Sequence, residues 1–457
     1  MDKHIKSTAQ HIARLIEEKG GRAFLVGGCV RDFCINRESK DFDMEVYGLC
    51  EESLLTVLHQ WGPVDLVGRT FGVYKVHGLP MDFAFPRLEK KTQNGHRGFT
   101  VKVDPTLPMK EASRRRDFTI NAMLMDPLTG EILDFYGGRE DLRQGILRCV
   151  DEKTFPEDSL RVLRAAQFAA RFHFTVEDKT RDLCRRISLQ DLPGERVLEE
   201  VKKALLQAEK PSLFFGELHR MNQLHPWFTE MENLQNVPQR PDAHPEGDVW
   251  AHTMLVLDEA ARLRTRAHQP LSFMLAACVH DFGKPLVTKE QGGKITSYGH
   301  EKAGLEPARA WMQRLRVANH TQNRVLSMVE NHMKPGAMYT FSARVSRTNL
   351  FLDRQPDFED LLLLSQADFM GCGAIRDYAP LEHFWAQRIK QYRDILMQNP
   401  PITGQELCQM GMKPGPQMGV RLQEARKQIL CGQSRSSILR QIQVEVDKAK
   451  RSVEQNK

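Results

Sequence analysis

The chain has 457 residues, with 65 Lys+Arg against 59 Asp+Glu, a net charge of +6 and 41% hydrophobic residues. That length exceeds one simple core and predicts two to four domains, while the mild basic excess permits a local nucleic-acid patch without demonstrating one. The nine cysteines show no C-x-x-C pair and no disulfide-framework spacing, which fits reduced thiols in a cytoplasmic protein. No apolar run approaches the roughly 18 residues of a membrane span. The N-terminus, MDKHIKSTAQHIARLIEEKGG, is an amphipathic helix with charges throughout rather than a signal peptide, so no membrane partner is expected.

Residues 1–22 predict a helix stopped at Gly20-Gly21. Phe24, Leu25 and Val26 read as a buried strand, Gly27 and Gly28 follow, and CVRDFCI is helical, with Arg31 and Asp32 one turn in. A strand, a glycine pair and a helix start together offer backbone N–H groups to an anion. In DFDMEVY, Asp41 and Asp43 stand two residues apart in a strand-like run, so both carboxylates project from one face. Two hard oxygen ligands beside a phosphate-binding turn suit Mg²⁺. A polar helix is predicted near Glu51–Gln60, with strands at Val64–Val67, at Gly72–Val76 and in MDFAFPR, where Asp82 lies between apolar neighbours. The polar, glycine-containing stretch from Arg87 to Val103 reads as a mobile loop. In RRRDFTINAM, Arg116 and Asp117 precede a helical apolar stripe and Asn121 falls one turn after Asp117. A strand–turn–strand is predicted around Pro127–Gly130.

From about Ile146 the pattern becomes helical. Asp158, Arg161 and Arg164 recur at i, i+3 and i+6, close to one helix face. A carboxylate only accepts hydrogen bonds and a guanidinium only donates them. Facing a Watson–Crick edge, such a pair accepts cytosine and adenine and leaves unpaired groups against uracil and guanine. The alternative is an intrahelical ion pair worth about 0.5 kcal/mol. Asn233–Asp248, rich in Pro, Asn and Gln, reads as a linker. Beyond it, His252, the adjacent His280-Asp281 and Asp368 sit on apolar helices, where uncoordinated charge is costly. A metal there lowers the pKa of a bound water and polarises a phosphoryl oxygen.

GGCVRD, followed by DFD, resembles the nucleotidyltransferase head of the polymerase-beta superfamily. More narrowly, it is similar to class II tRNA nucleotidyltransferases (CCA-adding enzymes) and bacterial poly(A) polymerases. The resemblance implies that Asp41 and Asp43 are catalytic Mg²⁺ ligands and that Gly27, Gly28 and Arg31 hold nucleotide phosphates. Through RRDFTINAM it implies that Arg116 and Asp117 touch the nucleotide's phosphates and ribose, with Asn121 also nucleotide-binding. Asp82 stands either as a third carboxylate or as a tolerated strand aspartate. EDSLRVLR resembles the family's E-D-x-x-R template, which gives Asp158 and Arg161 the base-reading role and Arg164 a nucleotide contact. The order His252, His280-Asp281, Asp368 resembles the HD phosphohydrolases, with His300 and His332 matching the further ligands of two-metal members. The implied cofactor is a divalent transition metal. The tail motif ITGQELCQMGMKPGPQMGVRLQEA resembles the C-terminal element of HD-containing relatives, as an RNA-facing element or as a packing turn.

The implied fold is α+β, a mixed-sheet head with helices followed by an all-α neck, HD domain and tail. The expected domains are a head over 1–145, a neck over 146–232, an HD domain over 245–371 and a helical tail over 372–457. The implied function is template-independent addition of CMP and AMP, from CTP and ATP, to the tRNA 3′ end, with HD phosphohydrolase activity. Rival readings are a CC- or A-adding enzyme, a bacterial poly(A) polymerase, a non-catalytic RNA-binding protein, and a phosphohydrolase with a degenerate head.

Overall fold

The computed structural model describes residues 3–39, 41–67, 72–91, 99–355, 357–373 and 377–455. The chain forms two compact units, Met1–Glu232 with Gln313–Val317, and Asn233–Met312 with Ala318–Lys457.

In the first unit, α1 (Lys3–Glu18) buries Ala9, Ile12, Ala13 and Ile16 along one face and is followed by Gly20 at φ +88°. Then come β1 (Arg22–Val26), α2 (Gly28–Cys34), β2 (Phe42–Tyr47), α3 (Glu51–Leu58), β3 (Val64–Val67), β4 (Val73–Val76), β5 (Met81–Ala84), β6 (Arg87–Lys91) and β7 (Phe99–Val103). With β8 (Leu124–Met125) and β9 (Ile132–Leu133), the main sheet runs β3-β4-β5-β2-β1-β8-β9. Only β2 and β5 pair in parallel; the other neighbours are antiparallel. The central strands are apolar on the packed face, where Phe24, Val26, Tyr47, Ala112 and Leu124 form one cluster. Helix α4 (Met109–Arg114) supplies Ala112.

Three local expectations are corrected. Arg87–Lys91 and Phe99–Val103 form a two-stranded ribbon, β6 against β7, registered from Arg87↔Val103 to Lys91↔Phe99. Residues 92–98 of the expected loop lie outside the described residues. The β-branched alternation in FTVKV outweighs the polar composition that suggested a loop. Second, Thr119–Asn121 is a single 3₁₀ turn, not a helical stripe. Phe118 bridges Cys149, and Thr119 N donates to Arg148 O at 3.0 Å, so the backbone is extended before it turns. Third, α5 (Gly138–Gln144) leads into β10 (Ile146–Leu147), which pairs in parallel with β11 (Thr175–Val176), so regular helix does not begin at Ile146. It begins with α6 (Leu160–Phe172) and continues through α7 (Asp178–Arg185), α8 (Gly194–Gln207), α9 (Ser212–Arg220) and α10 (Thr229–Glu232).

Among the described residues, the regular structure of the second unit is helical apart from the hairpin of β12 (Lys289–Gln291) and β13 (Lys294–Thr296). Its first helices are α11 (Val249–Leu263), α12 (Pro270–Val279), α13 (Lys284–Val287), α14 (His300–Ala303), α15 (Leu305–Arg314) and α16 (Asn319–Asn331). Next come α17 (Met333–Thr340), α18 (Val345–Asp353), α19 (Phe358–Met370), α20 (Ala379–Gln398), α21 (Gly404–Gln409), α22 (Pro416–Leu430) and α23 (Arg435–Gln455). Helices α11, α12 and α19 pack mutually. The terminal helices share a separate core that includes Leu407, Ala425, Ile429, Ile438 and Ile442. No helix among the described residues is long and apolar enough to cross a membrane.

Candidate functional site

The parallel register of β2 and β5 puts Asp43 directly beside Asp82, with Asp41 one residue ahead of β2. All three carboxylates line one cavity of about 640 Å³. Lys75 on β4 ion-pairs with Asp82 at 3.0 Å. Partial desolvation pushes the Asp43 carboxyl above its ordinary pKa; Arg116 opposes the shift, and Asp82 and Asp41 add to it. Crowded hard oxygens of one sign are the donor set that a divalent cation with phosphate oxygens satisfies.

Sequence reasoning stopped at the second aspartate and passed over Glu45. The same alternation extends to it, and Glu45 is buried. It accepts from the Tyr47 hydroxyl at 2.7 Å and from Arg115 at 3.0 Å, and Arg116 stands 3.8 Å away. Burial alone would raise its pKa, but Arg116 and Arg115 overcome that and hold it ionised. A buried carboxylate thus anchors the arginines of the RRRD run.

Gly27 has φ +74° and ψ −132°, a backbone state open to glycine, and a Cβ there would meet Arg116 Nη1 at 3.1 Å. Arg31 is buried; its Nη1 donates to Asn121 Oδ1 at 2.7 Å, and Asp32 takes its other edge at 2.6 and 2.9 Å. Asn121 Nδ2 donates to Asp117 Oδ1 at 2.9 Å, and Arg164 Nε donates to Asp117 Oδ2 at 2.6 Å. Burial would raise the Asp117 pKa, but Arg164, Asn121 and Arg161 hold it below the ordinary carboxylate value. The 3₁₀ turn, rather than a helix, is what aims Asp117 and Asn121 at the same place.

Asp158 is extended (φ −117°, ψ 103°) and precedes α6, so the expected one-face helical spacing does not apply to it. Its Oδ1 accepts from Leu160 N at 3.1 Å and its Oδ2 lies 3.3 Å from Arg196. Arg161 donates to the Thr154 and Arg115 carbonyls at 2.8 and 2.5 Å, which fixes its guanidinium. Gly27, Gly28, Arg31, Arg116, Asp117, Asn121, Asp158, Arg161 and Arg164 all line one cavity of about 310 Å³, together with Asp43. Arg196 on α8 lines it too. It lies in the ERVLEE run, but only its approach to Asp158 distinguishes it from a solvated helix charge.

The second unit gathers the other predicted residues. His252 lies on α11, His280 and Asp281 follow α12, His300 opens α14, His332 joins α16 to α17, and Asp368 is on α19. A Cβ on Gly283 would fall 2.0 Å from His300 O, so that glycine allows the backbone approach that brings His300 beside Asp281. Asp281 Oδ2 lies 3.3 Å from His280 Nε2 and 3.7 Å from His252 Nε2, and its Oδ1 lies 3.4 Å from His300 Nε2. Asp368 Oδ1 is 3.0 Å from His252 Nε2. His252, His280 and Asp281 form one potential ligand group, and Asp281, His300 and His332 a second.

The hydrogen bonds fix which ring nitrogens face inward. Nδ1 of His280, His300 and His332 lies 2.9, 2.9 and 2.7 Å from the carbonyls of Ala277, Ser297 and Val329. A carbonyl only accepts, so those Nδ1 atoms carry protons and the Nε2 lone pairs point to the centre. His300 and His332 then oppose lone pairs at 3.2 Å, an arrangement a cation relieves. His280 Nε2 and both Asp281 oxygens are buried without a hydrogen bond, although Lys284 Nζ ion-pairs with Asp281 at 2.6 Å. Burial pushes the His332 pKa down to about 4, keeping the ring neutral as a ligand must be. His252 goes the other way: burial opposes the shift, but Asp368 and Glu246 raise it to about 9. Metal and proton therefore compete for His252 Nε2. The mixed N/O set fits a divalent transition metal.

The segment expected to be a linker supplies part of this centre. Glu246 Oε1 bonds His252 Nδ1 at 2.9 Å and His244 Nδ1 at 2.8 Å, and Gln239 accepts from Lys284 at 2.7 Å. Proline and polar composition suggested a spacer, whereas the HPEGD string carried the signal.

Residues 23–148 match the family described as Poly A polymerase head domain, and residues 249–368 match the HD domain family. The Multifunctional CCA protein of Pasteurella multocida (strain Pm70) is 36% identical over 92% of this chain and 98% of its own length. That of Pseudoalteromonas atlantica (strain T6c / ATCC BAA-1087) is 34% identical over 89% and 98%. Among solved structures, the Thermotoga maritima CCA-adding enzyme complexed with tRNA_CCA aligns with a TM-score of 0.62 at 18% identity, covering 98% of this chain and 96% of that one. The Bacillus stearothermophilus CCA-adding enzyme in complex with CTP aligns with a TM-score of 0.65 at 19% identity, covering 100% of both. With a nucleotidyltransferase-type head, an HD domain and relatives matched over nearly their full lengths, the chain belongs to the multifunctional CCA protein family.

Proposed function

We infer that the protein is a CCA-adding tRNA nucleotidyltransferase that transfers CMP and AMP from CTP and ATP to the tRNA 3′ end. The observation that carries this is the single cavity in which Asp43 meets Gly27, Gly28, Arg31, Arg116, Asp117, Asn121, Asp158, Arg161 and Arg164. Asp41 and Asp43, with Asp82 as third carboxylate, fit Mg²⁺; bound there, it would acidify the primer hydroxyl and neutralise the triphosphate. Gly27 and Gly28 leave room for phosphate, and Arg31 and Arg116 supply positive charge to it. Asp117 and Asn121 order the ribose side. Asp158 accepts from, and Arg161 donates to, the base edge, which selects cytosine and adenine; Arg164 supports the nucleotide through Asp117. Head and neck divide near residue 145, and an HD domain over 245–371 precedes a tail over 372–457 that faces RNA. A cytoplasmic location fits the nine free cysteines.

The second unit carries a metal-dependent phosphohydrolase site. His252, His280, Asp281 and Asp368, with His300 and His332, would hold a divalent transition metal. Such an ion would lower the pKa of a water molecule and polarise a phosphoryl oxygen.

Incubating tRNAs that end before the first C, the second C and the A with each labelled nucleoside triphosphate tests the first reading. Ordered C, C, A incorporation supports it; long adenosine tails or a single truncated step refute it. His280→Ala and Asp281→Ala should abolish phosphohydrolysis and spare nucleotide addition. Equal loss of both would contradict separate sites.

A further inference from the structure

Just outside the nucleotide cavity, three guanidiniums surround one ring. The Cζ atoms of Arg31, Arg37 and Arg171 lie 4.7, 5.0 and 5.1 Å from the centroid of Phe172, a buried residue at the end of α6. Three positive charges around one ring repel each other, and the nearby carboxylates of Asp32 and Glu200 offset that repulsion only in part. Asp32 is bound to Arg31, and Glu200 is held by Lys203 at 2.7 Å. Among the described residues neither Arg37 nor Arg171 forms a salt bridge. The amide oxygen of Gln167, in its satisfied orientation, accepts from Arg171 Nε and Nη1 at 3.3 and 3.1 Å, but it carries no charge. Burial lowers the Arg171 pKa and Arg31 lowers it further. Arg37 and Arg171 thus lack a paired anion.

The incoming nucleotide does not account for it. Arg31 lines the nucleotide cavity, but Arg37 and Arg171 do not. They share the Phe172 ring with Arg31, which is itself tied through Asn121 to Asp117. An anion that touches Arg31 and runs on past the cavity is a chain of phosphates. Stacking on Phe172 occupies guanidinium faces; among the described residues the Arg37 guanidinium and Nη2 of Arg171 make no hydrogen bond, which leaves N–H donors for phosphate oxygens of any sequence.

We propose that Arg37 and Arg171 form a step, next to Arg31, that binds the phosphodiester backbone of the single-stranded RNA 3′ end during nucleotide addition. This rests on the reading of the head as an RNA nucleotidyltransferase. The contacts hold the strand irrespective of base, while base choice stays with the nucleotide cavity.

The test is steady-state AMP addition to tRNA ending at its second C, using the full chain and Arg37→Ala, Arg171→Ala and the double variant. The KM for tRNA should rise about three- to tenfold per substitution, and the slope of log affinity against log salt should fall by about 0.7 for each arginine removed. kcat, the KM for ATP and inhibition by pyrophosphate should stay within twofold, and Arg171→Lys should restore most of the loss. An unchanged tRNA KM and salt slope overturns the proposal. So does an equal shift in ATP KM or pyrophosphate inhibition, which would assign the cluster to the nucleotide or its product. If Arg171→Ala fails to fold, Arg37→Ala alone decides. If the wild type adds nothing to tRNA, the nucleotidyltransferase reading fails separately, and binding of a labelled single-stranded RNA pentamer to wild type and the double variant still decides the cluster's role.

Discussion

Glu246→Gln is the sharpest perturbation of the second unit. One carboxylate oxygen of Glu246 serves His252 at 2.9 Å and His244 at 2.8 Å, and the side chain is only 4% exposed. Each of the other three candidate ligand histidines rests instead on a neutral backbone carbonyl. His252 is thus the ring whose Nδ1 is hydrogen-bonded to a full negative charge, one held down to about 2 in pKa despite burial. Replacing such an orienting partner typically weakens metal binding about 10- to 100-fold, or about 1.4–2.7 kcal/mol. Because the amide oxygen can still accept from both imidazole N–H groups while the negative charge is lost, the lower half of that range is expected. The assay is chelator competition for Mn²⁺ or Ni²⁺ with the full chain, alongside hydrolysis of bis(p-nitrophenyl) phosphate at limiting and saturating metal. Hydrolysis should fall at limiting metal and recover at saturation, with CMP incorporation unchanged. A metal affinity within threefold of wild type would refute the reasoning.

Gly27→Ala places an L side chain at φ +74° with its Cβ 3.1 Å from Arg116 Nη1. Strain of about 1–3 kcal/mol should lower kcat/KM for CTP and ATP about 5- to 150-fold, seen by steady-state kinetics. Asp117 has a folded pKa below its ordinary 3.8, so its stabilising contribution is complete above that pH and is lost as pH falls below it. Asp117→Asn should therefore cost about 1.5–3 kcal/mol at neutral pH and flatten the acid limb, measured by urea unfolding between pH 7 and 3. Asp158→Ala removes the acceptor half of the proposed base reader, and the ratio of CMP to UMP incorporation should drop at least tenfold in single-turnover assays.

What was legible in the sequence was mostly local. The stripe of α1, the apolar Phe24–Val26 run, the Asp41/Asp43 spacing and the Pro127–Gly130 turn each depend on neighbours within a few residues. Family resemblance supplied the long-range sets, including His252 with Asp368, which no spacing rule connects. What stayed hidden depends on pairing between distant segments. Thr119–Asn121 reads as helix until the Arg148–Val150 backbone pulls Asp117 and Phe118 into extended pairing. Asp158 reads as part of α6 because Pro156 and two acids imitate a helix start, yet the 3₁₀ turn ends before it. Glu45, Arg196 and Glu246 acquire meaning only through partners that folding brings near, Arg115 for the first, Asp158 for the second and His252 for the third.

The central claim is that Asp43, beside Asp41 and Asp82, is where nucleotidyl transfer happens. Single-turnover addition of CMP to tRNA lacking its terminal CCA, by Asp43→Asn against wild type with CTP binding measured in parallel, tests it most directly. The account predicts at least a thousandfold loss of rate with the CTP dissociation constant raised less than tenfold. Retention of the rate within tenfold of wild type would contradict it.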